Sequence, residues 1–403
     1  MKELLEDLEK WGADVIFGRA RGFRAWLTRS IMLSLSYVFR GLVRLRLSLF
    51  RYGFKKQATP GATVISIGNI TVGGTGKTPV TELLARSLSR RGKRVAILSR
   101  GYKSQDLETP QALKSRHDDS ILPCPPKLVS RWGKLLLDVA YAGDEPYMLA
   151  KNLPGVSVVV ERDRINCAKF AIDELGADVL LLDDGLQYIK LAHTYDLVLL
   201  DSTAPFGTGA MLPRGTLREP KQNIKRATHV LLTKCTGASN ERLIKKIRRW
   251  NPTAEIIECS HESQWLENVF TGEQLPLAAL EGKWVGAISG IAVPESFERK
   301  LEELGARVEI RRQFSDHHTF TQRDIDQFMD RCVSRDMEMI VTTEKDAVRF
   351  PKPKELDVPV FFLRIQVELL SGQEAWDQLI DTVCQPSPER DLFVEGSLAL
   401  DPL

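Results

Sequence analysis

The residues best suited to chemistry lie in one run, residues 64–85, which reads VISIGNITVGGTGKTPVTELLA. Gly76, Lys77 and Thr78 fit the end of the phosphate-loop template G-x-x-x-x-G-K-[ST]. Thr71 stands where the template has its first glycine, and the remaining glycines fall at Gly73 and Gly74. A bound phosphate chain needs a tight loop of backbone N–H groups, a fixed positive charge and a hydroxyl for Mg²⁺, all at the start of a helix. Gly73, Gly74, Thr75 and Gly76 can form that loop, Lys77 supplies the charge and Thr78 the hydroxyl. Pro79 suits a first helical turn, where a missing N–H costs nothing. The alternative is a glycine-rich turn with no ligand. The apolar run before it and the amphipathic run after it favour the phosphate loop.

Other stretches carry polar residues whose chemistry depends on their setting. DVLLLDDGLQY closes an apolar run with Asp183 and Asp184. In phosphate-loop enzymes an acid at such a strand end holds Mg²⁺ directly or through water, although paired aspartates also form ordinary turns. YAGDEPYMLA sets Asp144 and Glu145 ahead of an apolar helix, and an N-cap with acids in the first turn accounts for both. LPRGTLREP carries Arg214, Arg218 and Glu219, and VERDR carries Arg162 and Arg164. Arginines that converge on a phosphate stabilise charge during transfer; isolated on the surface they do little. FSDHHTFTQRD holds Asp316, His317 and His318 in one turn, a pattern more often structural than catalytic. VTTEKDAVRF is a further strand end rich in polar groups.

These residues need a scaffold, and short apolar, β-branched runs supply one. Strands are predicted at 63–68, 95–99, 156–160, 179–183, 197–201, 230–233, 285–289, 339–343 and 359–363. Runs such as VLLLDD are apolar at successive positions, as in parallel strands covered on both faces. Their alternation with helical stretches predicts a phosphate-loop, doubly wound, mostly parallel α/β fold, with ligands at the carboxyl ends of the strands. The expected division is a basic amphipathic segment at 1–56, a core domain at 57–270 and a smaller α/β domain at 271–403. The junction is expected around 265–282. The polar stretch after Tyr102 and the tail from Gln385 read as surface excursions.

At 403 residues, 43% hydrophobic and 27% charged, the composition is globular. The six cysteines are scattered without a Cys-x-x-Cys pair, which argues against a disulfide framework or structural zinc site and fits a reducing compartment. The net charge of +3 hides an asymmetry: residues 15–62 hold ten Lys or Arg and no Asp or Glu, so the rest is acidic. That basic end is also apolar. Its longest uncharged run, SIMLSLSYVF, falls short of the ~20 residues that span a bilayer. On a helix, Arg29, Arg40, Arg44, Arg51 and Lys55 share one stripe, while Ile31, Leu35, Val38, Leu42, Leu45 and Leu49 share the opposite one. This predicts a helix lying in a membrane interface. The alternative is a helix whose apolar face packs on the protein's own core and whose basic face is solvated. Arginines inside the apolar run and the lack of a small-residue cleavage site argue against a secretory signal, so the enzyme is expected to face the cytoplasm.

Taken in order, SIGNITVGGTGKTP, LSRGY, GDEP, DDGLQ, LPRGTLREP, DHH and TTEKDA resemble the tetraacyldisaccharide 4′-kinases of lipid A biosynthesis. The resemblance covers about residues 60–350, and the basic amphipathic N-terminal segment matches the family too. It implies a kinase dependent on ATP and Mg²⁺ at the cytoplasmic face of the bacterial inner membrane. Its substrate would be the membrane-embedded lipid A disaccharide 1-phosphate, phosphorylated at the 4′-hydroxyl, with no nucleic acid or obligate protein partner. By the same resemblance Lys77 binds the transferred phosphates, and Thr78, Asp183, Asp184 and Glu219 form the Mg²⁺ neighbourhood. Arg218 stabilises the γ-phosphate. Asp144 is the base for the sugar hydroxyl, with His317 brought to it by closure of the second domain. Arg100, Glu145, Arg162 and Gln187 are expected to contact substrate. Tyr188 stands where the family usually has histidine, and the chain is longer than typical members. Two competing readings are an ATPase switch that cycles on a membrane and a nucleic-acid binder. The first has no use for Asp144 and His317, and no recognition motif supports the second.

Overall fold

The computed structural model describes residues 11–101, 104–105, 125–316, 318–351 and 356–385. The first strands are β1 (Thr63–Asn69), β2 (Val95–Ser99), β3 (Lys127–Arg131), β4 (Lys134–Leu135) and β5 (Ser157–Val160). Next come β6 (Val179–Asp183), β7 (Tyr195–Asp201), β8 (His229–Thr233), β9 (Glu255–Asn268) and β10 (Gln274–Pro276). The last are β11 (Trp284–Ser289), β12 (Arg307–Gln313), β13 (Met339–Thr343) and β14 (Val360–Ser371). The fold is mixed α/β with mostly parallel pairing.

The chain forms two compact units. Among the described residues, one gathers those within 11–98, 171–260 and 369–385; the other gathers those within 99–170 and 261–368. Both are assembled from separated stretches, whereas the sequence reading divides the chain consecutively after 56 and 270. Asp144, Asp316 and His318 belong to the same unit. The sequence reading assigned Asp144 and the histidine pair to different domains. The difference arises because residues 99–170 leave the first unit and cluster with 261–368.

In the first unit the strands run parallel in the order β9-β8-β7-β1-β6-β2. Every residue of β2, β6 and β8 is buried, as expected of strands covered on both faces. From β1 the chain crosses to β2, returns to β6 beside β1, and then passes to β7, β8 and β9 on the other side. That reversal makes the carboxyl end of β1 a topological switch point, the usual place for a ligand crevice. Asn69, Asp183, Asp201 and Thr233 close β1, β6, β7 and β8.

A 29-residue helix, Phe23–Arg51, packs on this unit through Phe39 and Val43, which meet a core that includes Val198, Phe206 and Ile224. Its buried Ser36 donates to the Met211 carbonyl at 2.8 Å and accepts from the Arg214 backbone N–H at 3.0 Å. Arg29 donates to the carbonyls of Val15 and Ala20. The apolar stripe is turned outward: Ile31, Leu35, Val38, Leu42 and Leu45 are 51–61% exposed. The alternative in which that stripe covers the protein's own core therefore does not hold. Phe39, Val43 and Ser36 make the contact, and part of the basic stripe lies against the protein. Among the described residues no helix is long and apolar enough to cross a membrane.

In the second unit β12, β11, β13 and β14 pair in parallel, in that order. β3 pairs antiparallel with β5 and β4, and β10 with β9. Two apolar clusters fill it, one around Phe297, Leu301 and Phe361, the other around Phe320, Phe328 and Met329.

Candidate active site

In the first unit, residues 70–76 connect β1 to the helix Lys77–Arg90. Gly73 and Gly76 take φ values of 119° and 79°, which a side chain would oppose. The first N–H groups of the helix have no intrahelical acceptor and are therefore available to an anion. The loop's carbonyls are tied back from the strand ends. Thr233 Oγ1 donates to the Thr75 carbonyl at 2.9 Å, and Lys234 Nζ to the Gly74 carbonyl at 2.8 Å. Lys234 itself is held by Asp201 Oδ2 at 2.6 Å. Asn69 Nδ2 donates to Thr75 Oγ1 at 2.8 Å, and Lys77 Nζ donates to Asn69 Oδ1 at 3.4 Å.

Arg218 reaches this place through its backbone. Val72 N–H donates to the Thr216 carbonyl at 2.7 Å, and Arg218 N–H to that of Ile70 at 2.8 Å. The LPRGTLREP segment thereby lies alongside the loop. Arg218 Nη1 donates to both Asp184 oxygens at 2.8 Å, and Lys77 Nζ lies 3.5 Å from Asp184 Oδ1. Burial pushes the Asp184 carboxyl up, but Lys77 and Arg218 outweigh it and hold the pKa below the usual aspartate value. Asp184 takes φ 54°, a left-handed turn that brings Gly185 N–H to the Ile67 carbonyl. A side chain at Gly185 would meet Leu182 Cβ at 2.5 Å, so the DDG turn can lie this close only as glycine.

Asp183 is buried at the end of β6. Glu219, 3% exposed, is saturated by donors: Arg226 reaches both oxygens, Asn223 one at 2.7 Å and Gln187 the other at 3.1 Å. Gln187 also donates to the Asn69 carbonyl at 3.0 Å and accepts from Arg218 at 3.1 Å, so both ends of its amide meet protein groups. Arg214 turns toward the N-terminal segment, donating to the Ile16 carbonyl at 3.2 Å. Among the described residues no three His, Cys, Asp or Glu side chains are arranged to hold a metal by themselves. Thr78, Asp183 and Asp184 offer only oxygen donors, the set that suits a hard cation completing its shell with phosphate and water.

In the second unit Asp144 and Glu145 open the helix Asp144–Asn152, whose N-cap is Gly143. Asp144 is thus inside the helix and does not cap it. Its Oδ2 lies 3.5 Å from Arg349 Nε, while Glu145 lies 3.4 Å from Lys345 Nζ. Arg100 and Arg162 are exposed, and Arg164 is buried and donates to the Glu161 carbonyl. His317 lies outside the described residues. His318 stacks on Phe314 with ring centroids 4.2 Å apart. Asn69, Asp201, Thr233, Lys234, Arg226 and Arg349 escaped the sequence reading. Its local signals for them were the ends of the predicted strands, at Asp201 and Thr233, and the stretches SIGNITVGGTGKTP and VTTEKDAVRF, which hold Asn69 and Arg349.

The family model for tetraacyldisaccharide-1-P 4′-kinase matches residues 28–385. The chain belongs to the tetraacyldisaccharide 4′-kinase family. A member from Anaeromyxobacter sp. strain K is 37% identical over 94% of this chain and 97% of its own. One from Halothermothrix orenii is 33% identical over 90% and 94%. The crystal structure of LpxK from Aquifex aeolicus in complex with ATP superposes with a TM-score of 0.68 at 30% identity, covering 89% of this chain and all of that one. The glycines and the Lys77–Thr78 pair thus occur in a tetraacyldisaccharide 4′-kinase whose loop dispenses with the first glycine of the general template.

Proposed function

We propose that this kinase transfers the γ-phosphate of ATP to the 4′-hydroxyl of a tetraacylated glucosamine disaccharide 1-phosphate at the cytoplasmic face of the bacterial inner membrane. The observation that carries the reading is the Lys77–Asp184–Arg218 cluster beside a glycine loop at the switch point of a parallel sheet. Phosphoryl transfer is chiefly a matter of positioning and charge. Lys77 and the helix N-terminus bind the phosphates, and Arg218 stabilises charge on the transferred group. Mg²⁺, held by Thr78, Asp183 and Asp184, supplies further charge neutralisation when bound. Glu219 acts at one remove, orienting Gln187 and Arg226. A sugar hydroxyl is a poor nucleophile, so Asp144 accepts its proton.

The lipid substrate explains the outward apolar stripe of the helix Phe23–Arg51. Acyl chains leave a bilayer at a cost of about 0.8 kcal/mol per CH₂, so the enzyme must go to the membrane. The lipid and the membrane surface are its partners; nucleic acid and an obligate protein partner are not part of the reading. The double substitution Leu35→Glu, Leu42→Glu is expected to weaken binding to anionic vesicles by about tenfold or more, with ATP affinity unchanged. Co-sedimentation checks it, and equal binding by variant and parent would remove the membrane role of this face.

Lys234 gives a separate expectation. It holds the Gly74 carbonyl away from the phosphate path, so Lys234→Met is expected to weaken ATP binding by about tenfold, the scale of one charged hydrogen bond. Isothermal titration with ATP and Mg²⁺ checks this without any lipid. The reaction itself is tested in mixed micelles with γ-labelled ATP and the tetraacyl disaccharide 1-phosphate. Label is expected in the lipid. Phosphate released to water with no labelled lipid would favour an ATPase switch.

A further inference from the structure

Arg349 takes no part in the reaction outlined above, yet its side chain is 7% exposed and each end of its guanidinium has a distinct neighbour. Nη1 donates to the His318 carbonyl at 2.7 Å, and Nη2 pairs with Asp346 Oδ1. The group lies 5.6 Å from the centre of the Phe320 ring. Nε makes no hydrogen bond among the described residues and lies 3.5 Å from Asp144 Oδ2.

Asp346 is fully buried, and its position is over-determined. Its Oδ2 accepts from Gly290 N–H at 2.9 Å and from Thr343 Oγ1 at 2.7 Å. A buried guanidinium requires a partner charge, and Asp346 supplies it at close range. Asp144 therefore meets a cation already fixed by three other groups.

The same short segment contacts the Asp144–Asn152 helix at two further points. Lys345 Nζ lies 3.4 Å from Glu145, and Glu344 accepts from Asn152 Nδ2 at 2.6 Å. The two acids of GDEP thus face the two cations of TTEKDAVR, Asp144 with Arg349 and Glu145 with Lys345. All these residues lie in one compact unit. The pairing gives TTEKDAVR a purpose that its local sequence did not reveal.

We infer that residues 343–349 form a clamp for the general base, in which Arg349 is the positioning residue that orients the Asp144 carboxylate. The inference rests on Asp144 being the base. A carboxylate free to swing by about 1 Å loses on the order of 10²-fold in rate, so the expected effect is large although Arg349 touches no reactant.

The test is a double-mutant cycle on the full-length enzyme in mixed micelles, with turnover and the KM for ATP measured for each variant. Arg349→Met is expected to lower kcat by about 30- to 100-fold and to leave the KM for ATP within about twofold. Arg349→Lys is expected to recover most of that loss. In the Asp144→Asn background Arg349→Met is expected to add less than about twofold, because its target is already gone. Multiplicative losses in the double variant would overturn the inference, as would parent-like turnover of Arg349→Met. Full turnover of Asp144→Asn would remove the base assignment itself and the inference with it. Thermal unfolding of every variant identifies a folding defect. If Arg349→Met does not fold, Arg349→Gln, which removes the charge and keeps a polar side chain, takes its place in the cycle with Asp144→Asn.

Discussion

Lys77→Ala is expected to lower kcat/KM for ATP by about 10²- to 10³-fold, the usual effect of removing one preorganised donor from a charge-stabilising site. Lys77 contributes in two ways. Its ammonium is placed by Asn69 at 3.4 Å at the mouth of the loop, and it shares Asp184 with Arg218. Removing it leaves Asp184 with one cation where there were two. Because the Asp184 carboxyl is held below its ordinary value of 3.8, the pair contributes stability above that value and loses it as pH falls through the lowered one. The stability gap between parent and Lys77→Ala should therefore be widest near neutral pH and close in acid. Denaturant titrations at neutral and acid pH measure the gap, and initial rates at varied ATP measure the catalytic loss. Unchanged kcat/KM would place the phosphates elsewhere.

The parts of the fold legible in the sequence are those with one-dimensional signals. β2, β6 and β8 are buried at every residue, so their apolar runs stand out. β12 reads RVEIRRQ, with buried and exposed residues alternating along most of it, and β9 carries Glu, Ser, His and Gln through 14 residues. Neither offers a continuous apolar run, so both were passed over, together with β3, β4 and β10. The site divides along the same line. Gly76-Lys77-Thr78 and Asp183-Asp184 declare themselves by type and spacing. Lys234 acts on a carbonyl 160 positions earlier in the chain, which only the order of strands β7, β8 and β1 brings near. The amphipathic helix shows a different limit. Periodicity gave its two faces, but which one meets the protein depended on Ser36 and Phe39 finding partners in loops distant in sequence.

Asp144→Asn is expected to lower kcat by about 10²- to 10⁴-fold, the range attributed to a general base. The substitution is nearly isosteric and keeps the residue at the first position of its helix, where a purely structural role for this aspartate would lie. Lost charge at a helix N-terminus costs only about 0.3–1 kcal/mol, so a purely structural aspartate predicts a slightly less stable enzyme that turns over normally. A base predicts the opposite pattern: nearly unchanged stability and a large loss of rate. An amide presents an oxygen that accepts a hydrogen bond from a hydroxyl but does not take its proton at neutral pH, so substrate should still bind. The KM for ATP should also stay near the parent value, because Lys77, Arg218 and the glycine loop are untouched. Single-turnover rates with labelled ATP, read beside thermal unfolding, separate the two roles. Parent-like rates would leave Asp144 as a helix-end charge held by Arg349 and would return the search for the base to the other acids.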